Sequence, residues 1–353
     1  MSARTPAFIL GGTGYVAGEL LRLVLAHPRL ELAGIASDSQ PGEPVARAFP
    51  HLTPACGDLA YISIADGTDR IAKLPRSAVL AAAPHGVSHK LIDAILARAD
   101  AAGAKPAVVD ISADYRFADL GEYERIYGHP HGAPERASQF TCAVPEHLDR
   151  APTPHVAHPG CFSTATLLAS VPLLALDLVE PQIYVSAVTG STGAGRSPIP
   201  GTHHPLRHSD LYSYGALTHR HGAEITALAR AAAGREARFA FVPHSGPFAR
   251  GIHATVQAKL KKPLDTAGAI AALKAFYDGR PFVRVQSEPP RIKDVVASNY
   301  ARLSAAADGH TIVVMSVVDN LVKGAAGGAI QWVNRLLGFD ETDGLTTPAP
   351  GWT

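Results

Sequence analysis

The chain has 353 residues, enough for about two domains of ordinary size. Hydrophobic residues make up 46% and charged residues 18%, which allows a large core and excludes wholesale disorder. Lys plus Arg (32) balance Asp plus Glu (31), so a net charge of +1 gives no electrostatic basis for binding nucleic acid or an anionic membrane surface.

The sequence carries no recognisable targeting or membrane-spanning signal. Its apolar stretches fall short of the roughly 20 residues that a membrane helix needs, and residues 1–10 lack the basic and apolar regions of a signal peptide. Three cysteines, Cys56, Cys142 and Cys161, are too few and too scattered for a disulfide framework. We therefore expect a cytoplasmic protein with reduced cysteines and with no membrane or nucleic-acid partner.

The first 110 residues alternate between apolar runs and helical segments. An apolar run at 7–10 meets a glycine cluster, helical periodicity follows over 16–26, and a second apolar run occupies 31–36. Strand, tight turn, helix and strand within about 30 residues form a βαβ unit, which implies a parallel sheet. Further runs and a predicted helix follow at 78–83, 88–102 and 107–111. The pattern predicts a Rossmann-type, doubly wound α/β domain.

The pattern changes after about residue 158, where strands become longer and interleaved helices fewer. Strand-like runs lie at 182–189, 238–243, 251–260 and 311–318, with predicted helices at 267–277 and 325–337. These features predict an α+β second domain built on a mostly antiparallel sheet. An apolar helical segment at 164–176 contains Pro172, which predicts a kink or an early end of that helix.

The glycine turn near the N-terminus fits a loose dinucleotide fingerprint. Gly12-x-Gly14-x-x-Ala17 follows a predicted strand and opens a predicted helix, which is the context that such a motif requires. Glycine permits a tight turn and close backbone approach, and the helix N-terminus offers free N–H groups to a pyrophosphate. The alternative is a turn that only packs helix on strand. The predicted cofactor-binding residues here are Gly11, Thr13, Gly14, Tyr15 and Val16.

Cys161 is the candidate nucleophile. It lies between the Pro159-Gly160 turn and an apolar helical segment, and a thiol at a helix N-terminus has a lowered pKa because the thiolate faces the positive end of the dipole. The alternative for Cys161 is an inert cysteine of the core. We assign that inert role to Cys142, and we interpret Cys56, which lies in a loop-like stretch, as non-catalytic.

A cluster of polar residues, His219-Arg220-His221 followed by Glu224, is the candidate acid/base block. No zinc-like ligand spacing emerges among the 17 histidines, so we predict no metal. A second glycine-rich loop, 190–196, follows a predicted strand and ends in Arg196; its hydroxyl groups and guanidinium suit an oxyanion or a phosphate.

Several blocks of residues, taken in this order, carry a family resemblance. They are residues 11–23, 83–88 (Ala-Pro-His-Gly-Val-Ser), 110–117 (Asp-Ile-Ser-Ala-Asp-Tyr-Arg-Phe), 159–161, 191–196, 219–221, 250–252, 319–324 (Asp-Asn-Leu-Val-Lys-Gly) and 338–342. On these blocks the chain resembles the N-acetyl-γ-glutamyl-phosphate reductase family, within the wider aspartate-semialdehyde dehydrogenase group, over nearly its whole length.

The resemblance implies a reaction and a set of residue roles. Cys161 would attack an acyl phosphate, phosphate would leave, and hydride from a nicotinamide cofactor would reduce the thioester to a semialdehyde. His219 is favoured over His221 as the acid/base residue. The remaining predicted substrate- or phosphate-binding residues are Arg116, Ser191, Arg196, His221 and Glu224. A structural salt bridge is the alternative for either arginine.

The cofactor implied by the resemblance is NADP, with NAD possible. Pro84, His85 and Ser88 follow a parallel strand at the end where such sheets bind ligands, and Gly193 and Asn320 match cofactor-contacting positions of the family. The second strand ends at Ser37, Asp38 and Ser39, where the adenosine ribose is expected. A carboxylate at that point favours NAD, which sets Asp38 against the family's preference for NADP.

Two further departures concern the acyl substrate. The family usually has Asn at position 158 and Tyr-Pro at 162–163, where this chain has His158 and Phe162-Ser163. His203-His204-Pro205 is closer to a related reductase that acts on a carrier-protein-linked aminoadipyl phosphate in lysine synthesis. Reduction of the carrier-linked aminoadipyl phosphate is therefore the alternative reaction. The alternative function of another class is that of a nucleotide-binding protein without catalysis.

The sequence also predicts where the two domains begin and end and which partners the protein has. Residues 1–158, completed by 320–353, form the predicted dinucleotide-binding domain, and 159–319 form the predicted catalytic and dimerisation domain. We expect a small-molecule acyl-phosphate substrate, a place in arginine biosynthesis, and a homodimer or homotetramer.

Overall fold

The computed structural model describes residues 4–352; Met1–Ala3 and Thr353, which the predicted domain ranges include, lie outside the described residues. The strands are Thr5–Leu10 (β1), Leu30–Ala36 (β2), Arg76–Ala81 (β3), Lys105–Asp110 (β4), Phe140–Cys142 (β5), His155–Ala157 (β6), Val179–Thr189 (β7), Tyr212–Ser213 (β8), Arg238–Ser245 (β9), Ile252–Leu260 (β10), Val283–Val285 (β11), Ala301–Ala307 (β12) and Thr311–Val318 (β13).

The α-helices are Tyr15–Leu25 (α1), Val45–Ala48 (α2), Thr53–Cys56 (α3), Ile64–Ala72 (α4), Ser88–Ala102 (α5), Leu120–Tyr127 (α6), Cys161–Ala175 (α7), His204–Arg207 (α8), Arg220–Ala233 (α9), Thr266–Phe276 (α10) and Gly327–Leu336 (α11). Short 3-10 turns occupy Pro50–Leu52, Pro134–Gln139, Pro145–His147, Ser191–Ala194, Pro200–Thr202 and Ile292–Asp294, and a π-helical turn occupies Val322–Ala326. Within 4–352, no helix combines the length and apolarity needed to cross a bilayer.

The chain divides into two compact units. The first contains the described residues up to Cys142, then Arg150–His158 and Ala326–Thr346. The second contains Ala143–Asp149, Pro159–Ala325 and the described residues from Thr347 onward.

The first unit is built on a six-stranded sheet in the order β2-β1-β3-β4-β6-β5, with all five pairings parallel. Central strands such as β3 are buried along almost their whole length, which explains their continuous apolar sequence. Helix α5 turns Ile92, Ile95 and Leu96 toward this core at spacings of three and four residues. The predicted doubly wound α/β domain is confirmed.

The second unit is built on a seven-stranded mixed sheet in the order β11-β12-β13-β10-β7-β9-β8. Four of its six pairings are antiparallel and two, β11 with β12 and β7 with β9, are parallel. The predicted α+β architecture with a mostly antiparallel sheet is therefore confirmed. Helix α7 is buried all round because it packs against β7, β10, β13 and α9, and its sequence is correspondingly apolar on every face.

Pro172 lies inside α7, and the helix continues for three residues beyond it to Ala175. Proline has no N–H, so the carbonyl of Leu168 loses its helical donor. The hydroxyl of Tyr277 donates to that carbonyl at 2.7 Å and replaces the missing bond. The expected early end does not occur, because a tertiary contact compensates for the proline.

Candidate active site

The glycine turn of the first unit is shaped for close backbone approach. Gly11 has φ +79°, and a Cβ there would lie 2.6 Å from the backbone nitrogen of Ala83, so only glycine fits. Gly14 is the N-cap of α1, has no side-chain cap, and would have open space around an added Cβ. The first turn of α1, which begins with Tyr15 and Val16, contains no acidic residue. The positive end of this helix thus faces open space, which fits an anionic pyrophosphate.

The end of β2 places Asp38 against the start of α4. Oδ1 of Asp38 accepts a hydrogen bond from the backbone N–H of Ile64 at 2.9 Å. The hydroxyls of Ser37 and Ser39 are 3.0 Å apart and bond to each other. One carboxylate oxygen is therefore engaged by the protein, a contact that the sequence did not predict.

Two residues after β3, His85 and Ser88, form hydrogen bonds within the first unit. Nδ1 of His85 accepts from the backbone N–H of Ala113 at 2.9 Å, and the buried hydroxyl of Ser88 donates to Asp110 at 2.8 Å. Burial, followed by the neighbouring charge of Asp114, raises the pKa of Asp110 to about 6. Ser88 therefore uses its hydroxyl within the protein, and its assignment to the cofactor stays a prediction.

Asp114 is a positioning residue that no sequence pattern indicates. Oδ1 accepts from the backbone N–H of Gly86 at 2.8 Å, and Oδ2 accepts from the backbone N–H of His89 at 3.0 Å. Gly86 has φ +76°, so the loop needs glycine there. The carboxylate thus ties the loop that contains Pro84 and His85 to the segment after β4.

Arg116 is buried and donates to two backbone carbonyls of the first unit. Nε bonds to the carbonyl of His158 at 3.0 Å and Nη2 to that of Ile111 at 2.7 Å. These two bonds satisfy donors of the buried guanidinium within the protein. The role of Arg116 in binding phosphate or a carboxylate stays a prediction.

His158 and Gly328 explain one departure from the family pattern. A Cβ at position 328 would lie 2.1 Å from Cε1 of His158, so the imidazole occupies the space that a side chain there would need. The histidine, which is larger than asparagine, is accommodated because residue 328 is glycine.

Cys161 is the first residue of α7, with Gly160 as its N-cap. Its side chain is partly exposed, whereas the rest of the helix is almost wholly buried. Oε1 of Glu224, a fully buried residue of α9, accepts from the backbone N–H of Gly160 at 2.6 Å and so anchors the turn before the thiol. A Cβ at Gly324 would lie 2.7 Å from Cβ of Cys161, which leaves no room for a side chain behind it.

His219 is the N-cap of α9, and the end of the helix determines its tautomer. Its Nδ1 accepts from the backbone N–H of His221 at 3.2 Å, so the proton of the neutral ring lies on Nε2. Burial, with help from the charge of Arg220, lowers the pKa of His219 to about 4. The rings of Tyr214, Phe162 and His221 surround it at centroid distances of 5.5, 6.0 and 4.8 Å. At neutral pH this imidazole is an uncharged hydrogen-bond donor.

The loop 190–196 is held from two sides within the second unit. The backbone N–H of Ser191 donates to Phe248, and the hydroxyl of Thr192 donates to Ala249 at 2.6 Å. The amide of Asn320 donates to the hydroxyl of Thr192 at 3.0 Å and accepts from the backbone N–H of Gly251 at 2.7 Å. Asn320 therefore joins two loops.

Gly193 and Arg196 belong to the same loop. A Cβ at Gly193 would lie 3.2 Å from the hydroxyl of Thr189, and Arg196 is exposed. The roles predicted for Gly193, Arg196, Ser191 and Asn320 toward cofactor or substrate stay predictions.

The second unit also contains polar residues near the candidate site residues in sequence for which the sequence predicts no role. Arg250 pairs with the buried carboxylate of Asp319 through Nε and Nη2, at 3.0 and 3.1 Å. Arg207 and Tyr214 lie on the segment between loop 190–196 and His219. This stretch has an irregular, polar sequence, and the burial of Arg207 and the partial burial of Tyr214 depend on tertiary contacts that no local pattern encodes. Among the described residues, no group of three or more His, Cys, Asp or Glu side chains is arranged to hold a metal ion.

Two family models match the chain. Residues 7–149 match the semialdehyde dehydrogenase NAD binding domain, and residues 161–320 match the semialdehyde dehydrogenase dimerisation domain. Solved structures of similar fold include aspartate semialdehyde dehydrogenase II from Vibrio cholerae (TM-score 0.69, 14% identity, covering 96% of this chain and 99% of that one). Another is aspartate semialdehyde dehydrogenase with NADP from Candida albicans (TM-score 0.63, 14% identity, covering 95% and 99%). At this identity the likeness concerns the fold.

Curated relatives are more similar in sequence. N-acetyl-gamma-glutamyl-phosphate reductase 1 of Pseudomonas putida is 39% identical over 347 residues, covering 96% of this chain and 97% of the relative. The reductase of Methanosarcina barkeri is 38% identical over 345 residues, covering 97% and 98%. Because a bacterial and an archaeal reductase both align along nearly the whole chain, and both domain models match, the protein belongs to the N-acetyl-gamma-glutamyl-phosphate reductase family.

Proposed function

We propose that the protein reduces N-acetyl-γ-glutamyl phosphate to N-acetyl-L-glutamate 5-semialdehyde with release of phosphate, a step of arginine biosynthesis, and that NADPH is its reductant. The observation that carries this function is Cys161 at the start of α7, anchored by Glu224, in a chain 38–39% identical to reductases of this name. The reaction needs a nucleophile, a donor to the developing oxyanion and a dinucleotide site. The described residues offer a candidate for each.

Cys161 forms and releases the covalent intermediate. Its Sγ attacks the carbonyl carbon of the acyl phosphate, the C–O bond to phosphate breaks, and the thiol proton leaves with the phosphate. NADPH, when bound, supplies the hydride that reduces the resulting thioester. Collapse of the reduced intermediate breaks the C–S bond and returns Cys161 as a thiolate, which takes up one proton.

His219 donates from Nε2 to the carbonyl oxygen, which carries negative charge after the thiolate adds and again during reduction. Because Nδ1 already accepts from the helix backbone, the neutral ring presents a proton to the substrate without a change of tautomer. A donor that is fixed before charge develops requires no reorganisation, which is the general basis of oxyanion stabilisation. Glu224 positions the Gly160–Cys161 turn.

The residues of the first unit fit a nicotinamide dinucleotide. Gly11, Thr13, Gly14, Tyr15 and Val16 would hold the pyrophosphate at the open N-terminus of α1. Ser37 and Ser39 would meet the adenosine ribose and its 2′-phosphate. NADP is favoured because Asp38 is bonded to the start of α4.

Asp38→Asn tests the cofactor preference, because it removes the charge and keeps an acceptor for Ile64. If the carboxylate does not face the ribose, the ratio of kcat/KM for NADPH over NADH should change by less than about 3-fold, equivalent to about 0.7 kcal/mol. A rise of about 10-fold or more at one ionic strength would show that Asp38 repels the 2′-phosphate. Asp66→Asn, on the exposed first turn of α4, is the control for a general change in charge.

The function is tested by phosphate-dependent reduction of NADP, driven by N-acetylglutamate semialdehyde, with Cys161→Ser as the blank. Activity that requires both semialdehyde and phosphate supports the proposal. Faster turnover of a carrier-linked aminoadipyl semialdehyde would instead assign the enzyme to lysine synthesis. The match of residues 161–320 to a dimerisation domain supports a homo-oligomer, which light scattering would measure.

A further inference from the structure

An ion pair between Lys323 and Glu146 lies in the core of the second unit. Nζ of Lys323 is 2.6 Å from Oε1 of Glu146, and the two side chains are 0% and 1% exposed. The ring of Phe282, which is also fully buried, lies beside the ammonium, with 5.6 Å between Nζ and the ring centroid. The reaction proposed for Cys161 and His219 uses neither side chain of the pair.

Stability alone gives little reason for such a pair. Moving a carboxylate and an ammonium out of water costs several kcal/mol for each ion, and apolar side chains of similar volume are often equally or more stabilising. A buried pair does favour one geometry, because its two charged groups would be poorly solvated in another arrangement. The pair is therefore better explained by what it positions than by the stability that it adds.

Lys323 lies on the turn that supports the candidate nucleophile. It belongs to the π-helical turn Val322–Ala326, and the next residue, Gly324, packs so closely behind Cys161 that an added Cβ would lie 2.7 Å from Cβ of the cysteine. Asp319 anchors the start of this turn, because its Oδ1 accepts from the first backbone N–H of the turn at 2.9 Å. π-Helical turns are uncommon, and many of them lie at functional sites. The side chain of Lys323 thus fixes the turn one residue before its contact with Cys161.

Glu146 lies on a segment that is joined to the middle of α7. The next residue, His147, bonds through Nε2 to the hydroxyl of Tyr277 at 3.1 Å, and that hydroxyl donates to the carbonyl of Leu168 at 2.7 Å. Burial lowers the pKa of this imidazole to about 4, so the ring is neutral, and it donates from Nε2 because the phenol has a single proton. The segment of Glu146 is thereby fixed relative to α7, and the ion pair extends this connection to the turn behind Cys161.

We propose that Lys323 and Glu146 are positioning residues, whose ion pair holds the thiol of Cys161 in the geometry from which it attacks the acyl carbonyl. The inference rests on the proposed function, because it takes Cys161 as the nucleophile. Loss of the pair should then lower kcat, whereas the KM values of NADPH and of the acyl phosphate should change little. A pair with a structural role alone would affect only the free energy of unfolding.

The test compares single and double variants of the pair. Lys323→Met and Glu146→Gln should each lower the free energy of unfolding in urea, because each leaves the other partner in the core without its counter-charge. The double variant, Lys323→Met with Glu146→Leu, has apolar side chains of similar size at both positions and should recover most of that stability. Its kcat should stay roughly 10- to 100-fold below that of wild type, the effect of a displacement of up to about 1 Å. The KM values should change less than about 3-fold.

Alkylation reports the position of the thiol without turnover. With iodoacetamide at neutral pH and peptide mass spectrometry, Cys161 should react about 2- to 5-fold more slowly in the double variant, because displacement from the helix N-terminus weakens the stabilisation of its thiolate. Cys142 is measured in the same samples and should react at an unchanged rate. Asp149→Asn is the matched control, since Asp149 lies on the segment of Glu146 and pairs with Arg280 at 2.6 Å but is 90% exposed. This variant should retain both kcat and the alkylation rate of Cys161.

A stable double variant with the kcat of wild type would overturn the proposal and leave the pair a structural role. Raised KM values with an unchanged kcat would also overturn it, because the pair would then act on binding. If the double variant does not fold, Glu146→Asp keeps the charge but shortens the side chain by one methylene group, and its kcat should fall at least about 3-fold at constant KM. An unchanged kcat in this variant would count against the proposal. A wild type without phosphate-dependent reduction of NADP would contradict the proposed function itself, whereas slower alkylation of Cys161 in the variants would still support the positioning role.

Discussion

Cys161 differs from the other two cysteines in where its side chain lies. It begins α7 and is partly exposed. Cys142 ends a strand of the first unit and is partly exposed as well, so it is not the buried cysteine that the sequence predicts, and Cys56 is buried at the end of α3. A thiol at the first turn of a long helix is positioned to react as a thiolate. The identity of the nucleophile therefore follows from secondary structure more than from the residue type.

Cys161→Ser should lower kcat by about 10³-fold or more, because a serine hydroxyl is scarcely ionised at neutral pH and is a poorer nucleophile. Single-turnover and steady-state rates would be measured with NADPH and the acyl phosphate. Cys142→Ser is the matched control and should retain nearly full kcat. Equal loss in both variants would remove the assignment.

His219 should act as a neutral donor across the physiological range. Because burial lowers its pKa to about 4, it should produce no ionisation limb in the pH profile of kcat/KM above about pH 5. His219→Asn should lower kcat by roughly 10²–10⁴-fold, and His221→Asn should have a smaller effect. A limb between pH 6 and 7 that disappears in His219→Asn would contradict the donor role. The larger loss in His221→Asn would exchange the two assignments.

At the scale of elements, three separate segments hold α7, two at its start and one at its middle. Helix α9 contributes Glu224, which bonds to the N-cap residue Gly160, and the segment after β13 contributes Gly324, which packs directly behind Cys161. Tyr277, just after α10, supplies the hydrogen bond that Pro172 removes. The position of the nucleophile is thus determined by contacts that are distant in sequence.

Gly324→Ala tests this packing. An added methyl group would lie 2.7 Å from Cβ of Cys161 and 3.0 Å from its Cα, so the start of α7 must shift. We expect kcat to fall by about 10²-fold, the effect of roughly 1 Å of misplacement, while circular dichroism shows a folded protein. Gly67→Ala, where the nearest atom would be 3.5 Å away, is the control and should retain activity. Unchanged kcat in Gly324→Ala would show that the turn tolerates the shift.

The sequence predicted the elements better than the contacts that complete the site. Periodicity and the glycine turn were sufficient for the parallel sheet of the first unit, because buried parallel strands are continuously apolar and carry a local signal. Asp38 and Asn320 also bond within the protein, to Ile64 and to Thr192 and Gly251, and these contacts have no signal in the local sequence. Their roles toward the cofactor stay predictions. Arg207 was not predicted, since its burial arises only when α8 folds against the rest of its unit. No local pattern encodes such contacts.

At the scale of the whole molecule, histidines that are wholly or partly buried make stability depend on pH. Burial is the largest cause that lowers the pKa of the ring in six of them: His27, His131, His147, His155, His219 and His253. For three of these, His147, His155 and His219, the pKa falls to about 4. An unfolded histidine has a pKa near 6.5, so between about pH 6.5 and 4 the unfolded chain binds more protons than the folded one. Stability is therefore present above pH 6.5 and is lost as the pH falls through this window. Asp110 acts in the opposite direction, because its folded pKa of about 6 lies above the unfolded value and favours the folded state below pH 6.

The net prediction is a loss of stability on mild acidification, because three strongly shifted histidines outweigh one aspartate. Urea unfolding at pH 7, 6 and 5 should give a free energy of unfolding that becomes smaller as the pH falls, and each of the three histidines should contribute about 1 kcal/mol to this loss between pH 6 and 5.

His155, which is 6% exposed, offers a direct test. His155→Leu should reduce the loss between pH 6 and 5 by that amount, because it removes one group that must bind a proton on unfolding. His51→Leu, at an exposed position, should leave the pH dependence unchanged. A wild-type free energy that stays constant or rises from pH 7 to 5 would show that the buried histidines are not held neutral in the folded state.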